Sequence, residues 1–198
     1  MSDGELALFP LNTVLFPGGP LSLRIFEPRY LDLVRRCARA QDTFGVVLIL
    51  AGAEVGEVAS VATTGTSARL TDFSSLPDGL LGIECIGERR FHVLRRWRQH
   101  DGLNLAEIEY SAAEALRAVP APYRHLAELL RELLPRLGGA YGQLPAHYEE
   151  AGWVANRWAE ILPLAPAERQ RLLELTDPLE RLAQVGAWSA RQPPAAHV

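Results

Sequence analysis

The chain is expected to fold as an α+β protein, with a strand-rich first half and a helical second half. Three observations carry that expectation. Up to about residue 112 the apolar residues alternate or run in short branched stretches separated by turn residues, as strands do. After about Ala112 the period changes, and Leu126, Leu129, Leu130, Leu133, Leu134 and Leu137 mark one face of a helix. The switch from period two to the helical period divides the chain into a sheet half and a helix half rather than an alternating βα pattern.

The elements follow in order. Leu6–Leu11 and the run to Phe16 are apolar and stop at two Phe-Pro pairs, Phe9-Pro10 and Phe16-Pro17. Proline cannot donate to a sheet ladder, so it belongs at strand ends, edges or bulges. Gly18-Gly19-Pro20 makes a turn, after which Leu21, Leu23 and Ile25 face one way and Ser22, Arg24 and Phe26 the other. A helix is expected over about 28–40, opened by Pro28, with Leu31, Val34, Cys37 and Ala38 on its apolar stripe. Glu27 sits at its N-terminus, where a carboxylate is favoured, with Arg24 or Arg29 as ion-pair partner and Tyr30 packed on the sheet.

The continuous run from Phe44 to Leu50 suits a strand buried on both faces. Further strands are expected over 55–64, 67–72, 80–86, 91–98 and 103–110, with a break at Gly65 and turns at Pro77-Asp78-Gly79, Gly87-Glu88 and Asp101-Gly102. Together they suggest a small closed sheet or barrel. In the second half the leucine-striped helix ends at Pro135 and Gly138-Gly139. A second helix carries Val154, Trp158, Ile161 and Leu162 and stops at Pro163; a third spans about 166–175. The last opens with Asp177 as N-cap, Pro178 in its first turn and Glu180 placed for a capping box. The expected division is 1–113 for the barrel, 114–190 for the helices and 191–198 as a flexible tail.

Composition excludes several functions. The longest apolar stretch, 44–53, is half of the roughly 20 residues a membrane helix needs. The acidic start Met1-Ser2-Asp3-Gly4-Glu5 lacks the basic and apolar regions of a signal peptide, so a cytoplasmic protein is expected. Cys37 and Cys85 are far apart and outside any Cys-x-x-Cys, reading as two buried thiols rather than a disulfide or metal site. The net charge of −4 argues against a general polyanion binder. All 20 basic residues are arginines. Without lysine there is no catalytic lysine, Schiff base or P-loop lysine.

Catalytic motifs are absent. There is no Gly-x-Ser-x-Gly elbow and no His-Glu-x-x-His, and His147-Tyr148-Glu149-Glu150 does not place two ligands on one helical face. No cofactor and no metal is expected. The stretch Glu88–His100 holds five arginines, two histidines and Trp97. It reads as a half-exposed strand, with Phe91, Val93 and Trp97 inward and Arg90, His92, Arg96 and Arg98 outward. Glu84, Glu88, Glu107 and Glu109 are placed to pair with that outer face. RNA binding through Arg90–Arg98 is the third-ranked alternative. Exposed apolar candidates for binding lie in the loop with Phe73 and Leu76, and in the linker Gly138–Trp153 with Tyr141, Leu144, Tyr148 and Trp153.

One ordered set of motifs resembles a known family. Phe16-Pro17, then Phe26-Glu27-Pro28-Arg29-Tyr30, Gly65-Thr66, Asp78-Gly79, and Gly87 with Arg90-Phe91 resemble, in the same order, the N-terminal substrate-binding domain of the Lon proteases. Trp158–Leu182 resembles its closing helices. The resemblance implies a PUA-like barrel of about six strands with one inserted helix, followed by a helical bundle, and gives those motif positions structural roles. It also implies a non-catalytic, stand-alone module without the family's ATPase and Ser-Lys protease domains. The implied partners are unfolded or tagged polypeptides, and a protease or chaperone, with clients entering a groove where barrel meets helices. The alternative is a small-molecule or hydrolytic role in a barrel-mouth pocket.

Overall fold

The computed structural model describes residues 4–52 and 58–191, and the chain divides into two compact units, 1–112 and 113–198. Among the described residues the first unit contains seven strands and one long helix: β1 (Glu5–Leu11), β2 (Pro20–Ile25), α1 (Pro28–Ala40), β3 (Thr43–Gly52), β4 (Val58–Val61), β5 (Thr64–Ser75), β6 (Leu81–Arg98) and β7 (Asn104–Tyr110). Strand pairing runs β1-β7-β6-β5-β3, and β3 pairs in turn with β1, so five strands form a closed circuit. The closing pair is parallel, Leu8↔Gly45 to Leu11↔Leu48, whereas the other ladders are antiparallel. Outside the circuit, β2 pairs with β6 and β4 with β3.

Strand β1 is buried along nearly its whole length because alternate side chains enter two cores. Ala7, Phe9 and Leu11 join Ile25, Tyr30, Leu33, Phe44 and Ile83. Leu6 and Leu8 join Val47, Phe91, Ala106 and Ile108 on its other side. The stripe that α1 buries is Tyr30, Leu33, Val34 and Cys37, next to Arg29. The expected stripe had included Ala38, which is exposed; a methyl group gains little by burial, and the larger Leu33 and Tyr30 set the helix's rotation.

Two glycines are required by close approach rather than by turns. Gly87 was expected in a turn, yet it lies inside β6, which runs unbroken for 18 residues. A Cβ there would lie 2.3 Å from the Phe16 carbonyl oxygen. Its own N–H donates to Gly19 O at 2.9 Å and its oxygen accepts from Gly18 N at 2.7 Å. The ladder with β5 slips between Thr66 and Ala68, opposite Gly87–Arg90, so this position marks a bulge. Gly65, expected as a break, lies within β5, where the Val46 carbonyl oxygen and the Phe91 ring tip occupy the space of a side chain.

The second unit holds α2 (Arg124–Leu137), α3 (Ala151–Ile161), α4 (Pro166–Glu174) and α5 (Pro178–Arg191). Leu126, Ala127, Leu130 and Leu134 form the buried stripe of α2, and Leu129 and Leu137 are exposed. Pro135 lies inside the last turn of α2, and Gly138 follows the last helical residue. Helix α3 is buried from Ala151 to Ala159, and its Trp158 Nε1 donates to Leu126 O at 3.0 Å. Before α5 the Asp177 carboxylate accepts from Leu179 N at 2.9 Å, as expected of an N-cap. At the start of α4 the Glu168 carboxylate reaches back to accept from Ala165 N at 2.9 Å.

A buried arginine holds the helices together. Arg181 donates to Leu172 O and Asn156 Oδ1, both at 3.0 Å, and to Glu114 Oε2 at 2.7 Å, joining α5 to α3, α4 and the segment before α2. The tail after Arg191 and the first residues of the expected strand 55–64 lie outside the described residues.

Candidate functional site

The closed circuit uses only part of its longest strands. Leu81–Ile86 of β6 continue beyond it between β2 and the distal half of β5, making a three-stranded arm. Paired residues share a face, so Leu23, Ile83 and Phe73 lie in one row across the arm. On the opposite face Arg24 forms an ion pair with Asp78, and Ser22 donates to Glu84 Oε2 at 2.6 Å. One face of the arm is therefore apolar and the other polar.

Between this arm and β1 lies a cleft of about 370 Å³, lined by Phe9 and Leu11, by every residue from Ser22 to Glu27, and by Tyr30. Local sequence positions each part. Pro28, at the first turn of α1, starts the helix directly after β2, which brings Tyr30 over β1; its ring stacks on Phe9 at 3.9 Å. Glu27 occupies the N-cap position without capping through its side chain, and instead pairs with Arg29 at 2.7 Å. Arg29, buried beside it, also donates to Gly102 O at 2.9 Å. The charges at this end of the cleft are thus matched within the protein. Phe26 stands at the rim with 52 % of its surface in water.

The residues singled out from sequence separate between the two units. Phe73 is 66 % exposed on the β5–β6 hairpin, and Leu76 packs over Gly82 on the polar face. In the helical unit Tyr148 meets the Trp153 ring edge-on at 5.1 Å, and Arg131 lies over Tyr148 at 4.8 Å. Tyr141 and Leu144 are half-buried. Tyr141 donates its hydroxyl to Glu160 Oε2 at 3.3 Å; burial and the Glu160 charge push the phenol far above its ordinary range. Glu160 is itself held by Arg157 Nε at 2.8 Å, yet burial outweighs that attraction and raises its carboxyl pKa. Trp153, expected on an open linker, is only 9 % exposed because it lies in the first turn of α3, a helix buried on nearly all sides.

The arginine-rich strand differs from expectation. Arg90, expected outside, is buried, since the bulge opposite Gly87–Arg90 shifts the alternation. A second slip between Val93 and Arg95 turns the remaining residues again. Arg95 lies opposite Glu107 and His92 opposite Glu109, so acid and base alternate across the ladder. Glu84 and Glu88 serve other partners, Ser22 and Arg69. Arg89 lies over the Tyr110 ring at 4.2 Å and Arg95 over Trp97 at 5.7 Å.

Neither cysteine thiol is activated. Burial pushes the Cys37 thiol up to about 11 and the Cys85 thiol up to about 12, leaving both protonated near neutrality. Among the described residues no three His, Cys, Asp or Glu side chains are grouped to hold a metal ion, and no helix is long and apolar enough to cross a membrane.

Among the motif positions, Phe16 and Phe91 are fully buried, and Thr66 Oγ1 donates to Leu15 O at 2.6 Å. Phe26 differs, since it is the one motif aromatic left in water. The signal was present: an apolar residue stands on the otherwise polar side of the Ser22, Arg24, Phe26 alternation. Phe9, Leu11 and Leu23 carried no separate signal, because a cleft-lining apolar residue and a core one look alike in sequence.

Comparison with known proteins agrees with this architecture. The profile described as ATP-dependent protease La (LON) substrate-binding domain matches residues 5–188. A crystal structure titled as a Lon N-terminal domain protein from Xanthomonas campestris is 38 % identical. It superposes with a TM-score of 0.77 over 93 % of this chain and 98 % of its own. The N-terminal domain of a Mycobacterium avium complex Lon protease, 16 % identical, shares the fold with a TM-score of 0.68, covering 96 % of this chain and all of its own. Lon protease of Roseiflexus castenholzii is 27 % identical over 94 % of this chain, which spans about a quarter (24 %) of that relative's length. The chain therefore belongs to the family of the substrate-binding domain of Lon, the ATP-dependent protease La.

Proposed function

We propose that this protein is a non-catalytic polypeptide-binding module that takes exposed apolar segments of unfolded or tagged proteins at the cleft between β1, β2 and the start of α1. The observation that carries the reading is Phe26. A large aromatic side chain is held half in water at the rim of an apolar cleft whose neighbouring charges are already paired. Such a ring loses little conformational freedom when covered and offers a large apolar area. Phe73 extends the apolar row of the same arm, and Leu76, Tyr141, Leu144 and Tyr148 are auxiliary contact positions in this reading, with the buried Trp153 backing Tyr148. Working partners would be a protease or chaperone acting on the bound client. The two free, buried cysteines suit a reducing compartment such as the cytoplasm.

Neither rival reading has a specific observation in its favour. A small-molecule site needs convergent free polar groups, whereas Arg24 and Glu27 are engaged with Asp78 and Arg29. A nucleic-acid surface needs a contiguous basic face, whereas carboxylates stand opposite Arg95 and His92. The direct test is titration of a fluorescent, reduced and carboxymethylated unfolded protein, followed by electrophoresis of the same mixture with ATP. Saturable binding with no cleavage is expected. Absence of saturable binding overturns the reading, and cleavage overturns its non-catalytic part.

A further inference from the structure

The cleft is lined by six consecutive residues of the chain, Ser22 to Glu27. Side chains of a strand alternate between its two faces, so a cleft lying on a sheet face is lined by every second residue. Lining by consecutive residues means that this cleft runs along a strand edge, where the backbone itself forms the wall. The pairings agree. β2 is bonded on one side only, to β6, from Pro20↔Ile86 to Ile25↔Leu81. Among the described residues no strand pairs along its other side. Across the cleft, Phe9 and Leu11 belong to the part of β1 that continues past its last β7 partner, Leu8↔Asn104.

We infer that the cleft takes its client as an added strand along the free edge of β2; this mode of binding rests on the polypeptide-binding reading above. A strand edge presents alternating N–H and C=O groups, a pattern that another extended polypeptide backbone matches. Charge decides which polypeptide. Arg24 is neutralised by Asp78 and Glu27 by Arg29, so a charged client residue entering the cleft meets no spare counter-ion. The occupant is an uncharged extended segment, with apolar residues at alternate positions against Phe9, Leu11 and Tyr30. From Ser22 to Phe26 the edge spans about 16 Å at roughly 3.3 Å per residue, enough for about five client residues. Folded proteins present few such segments with free backbone, whereas unfolded ones present many.

The test uses the full chain with two probes: a reduced and carboxymethylated unfolded protein, and a capped nonapeptide alternating valine and serine. The nonapeptide is also made with N-methyl groups on one or the other alternate set of amides. One methylated set is expected to bind at least about tenfold more weakly than the other, through loss of two or three backbone hydrogen bonds. In hydrogen exchange, the nonapeptide is expected to slow alternate amides between Ser22 and Phe26 by about tenfold or more. Equal affinity of the two methylated sets, or no alternating protection in β2, overturns strand addition. If the unfolded protein binds and the nonapeptide does not, strand addition is overturned while polypeptide binding stands. If neither binds, both fall.

Discussion

Replacing Phe26 by alanine separates client binding from folding. A phenylalanine side chain contributes roughly 150–250 Å² of surface when fully buried. With 52 % of Phe26 in water, about 100 Å² is left for a client to cover, worth about 2.5 kcal/mol at roughly 25 cal/mol per Å². Alanine keeps a small part of that area and a client covers the ring incompletely, so the net loss is about 1–2 kcal/mol, or roughly five- to thirtyfold in Kd. The half that is already buried contributes to the fold, but substitutions at such exposed positions usually change stability by only about 0.5 kcal/mol. The assay is fluorescence anisotropy with a labelled unfolded protein, paired with a urea melt. Leu94→Ala serves as control: Leu94 is 58 % exposed and lies on β6 outside the cleft lining, so its loss is expected to leave Kd within about twofold. A Phe26→Ala protein that melts normally and binds within twofold of the parent refutes the assignment of the cleft.

Three further outcomes follow from the packing and the titrating groups. Gly87→Ala places a Cβ against the Phe16 carbonyl oxygen and disturbs the two hydrogen bonds to Gly18 and Gly19. A loss of about 2–4 kcal/mol is expected in urea unfolding, and a loss below about 1 kcal/mol contradicts the close approach. Arg181→Met removes the buried hydrogen bonds that Arg181 donates to Asn156, Leu172 O and Glu114. It is expected to cost about 3–5 kcal/mol, read as faster amide exchange in α3 and α5, and unchanged exchange refutes the role of that arginine. The thiols of Cys37 and Cys85, raised from 9.0 to about 11 and 12, stay protonated in the native state after those of the unfolded chain have ionised. Their contribution to stability is therefore complete below pH 9 and is lost as pH climbs from 9 through about 12. A Cys37→Ala, Cys85→Ala protein is expected to show a shallower fall of its urea midpoint over that range; identical slopes refute it.

Much of the local structure was legible because local chemistry decides it. Pro28 fixed the start of α1, Asp177 capped α5, and the alternation of β2 survives as Leu21, Leu23 and Ile25 on the core side. What failed to show in sequence depends on distant partners. Gly87 reads as a turn by composition, and only the approach of Phe16 from 71 residues away makes it a strand glycine. Arg90 reads as exposed by simple alternation, and a bulge moves it inside. Trp153 reads as a surface aromatic beside Tyr148, and the tight packing of α3 buries it. The cleft was hidden for the same reason: Phe9 and Leu23 are ordinary core-type residues until β1 and β2 are brought alongside with no ladder between them.

The closed circuit of strands also sets a timetable for synthesis. β1 precedes the other described strands of the sheet in the chain, yet its Glu5 pairs with Glu107 of β7, which follows them all. At about 5–20 residues per second, β1 waits on the order of 5–20 s for that partner. Until then its apolar residues have only the parallel pairing with β3, and the longest-range contacts of the sheet cannot form. A protein that this reading assigns to holding unfolded chains therefore holds an unfinished sheet of its own for some seconds of its synthesis, with β1 the strand most in need of cover.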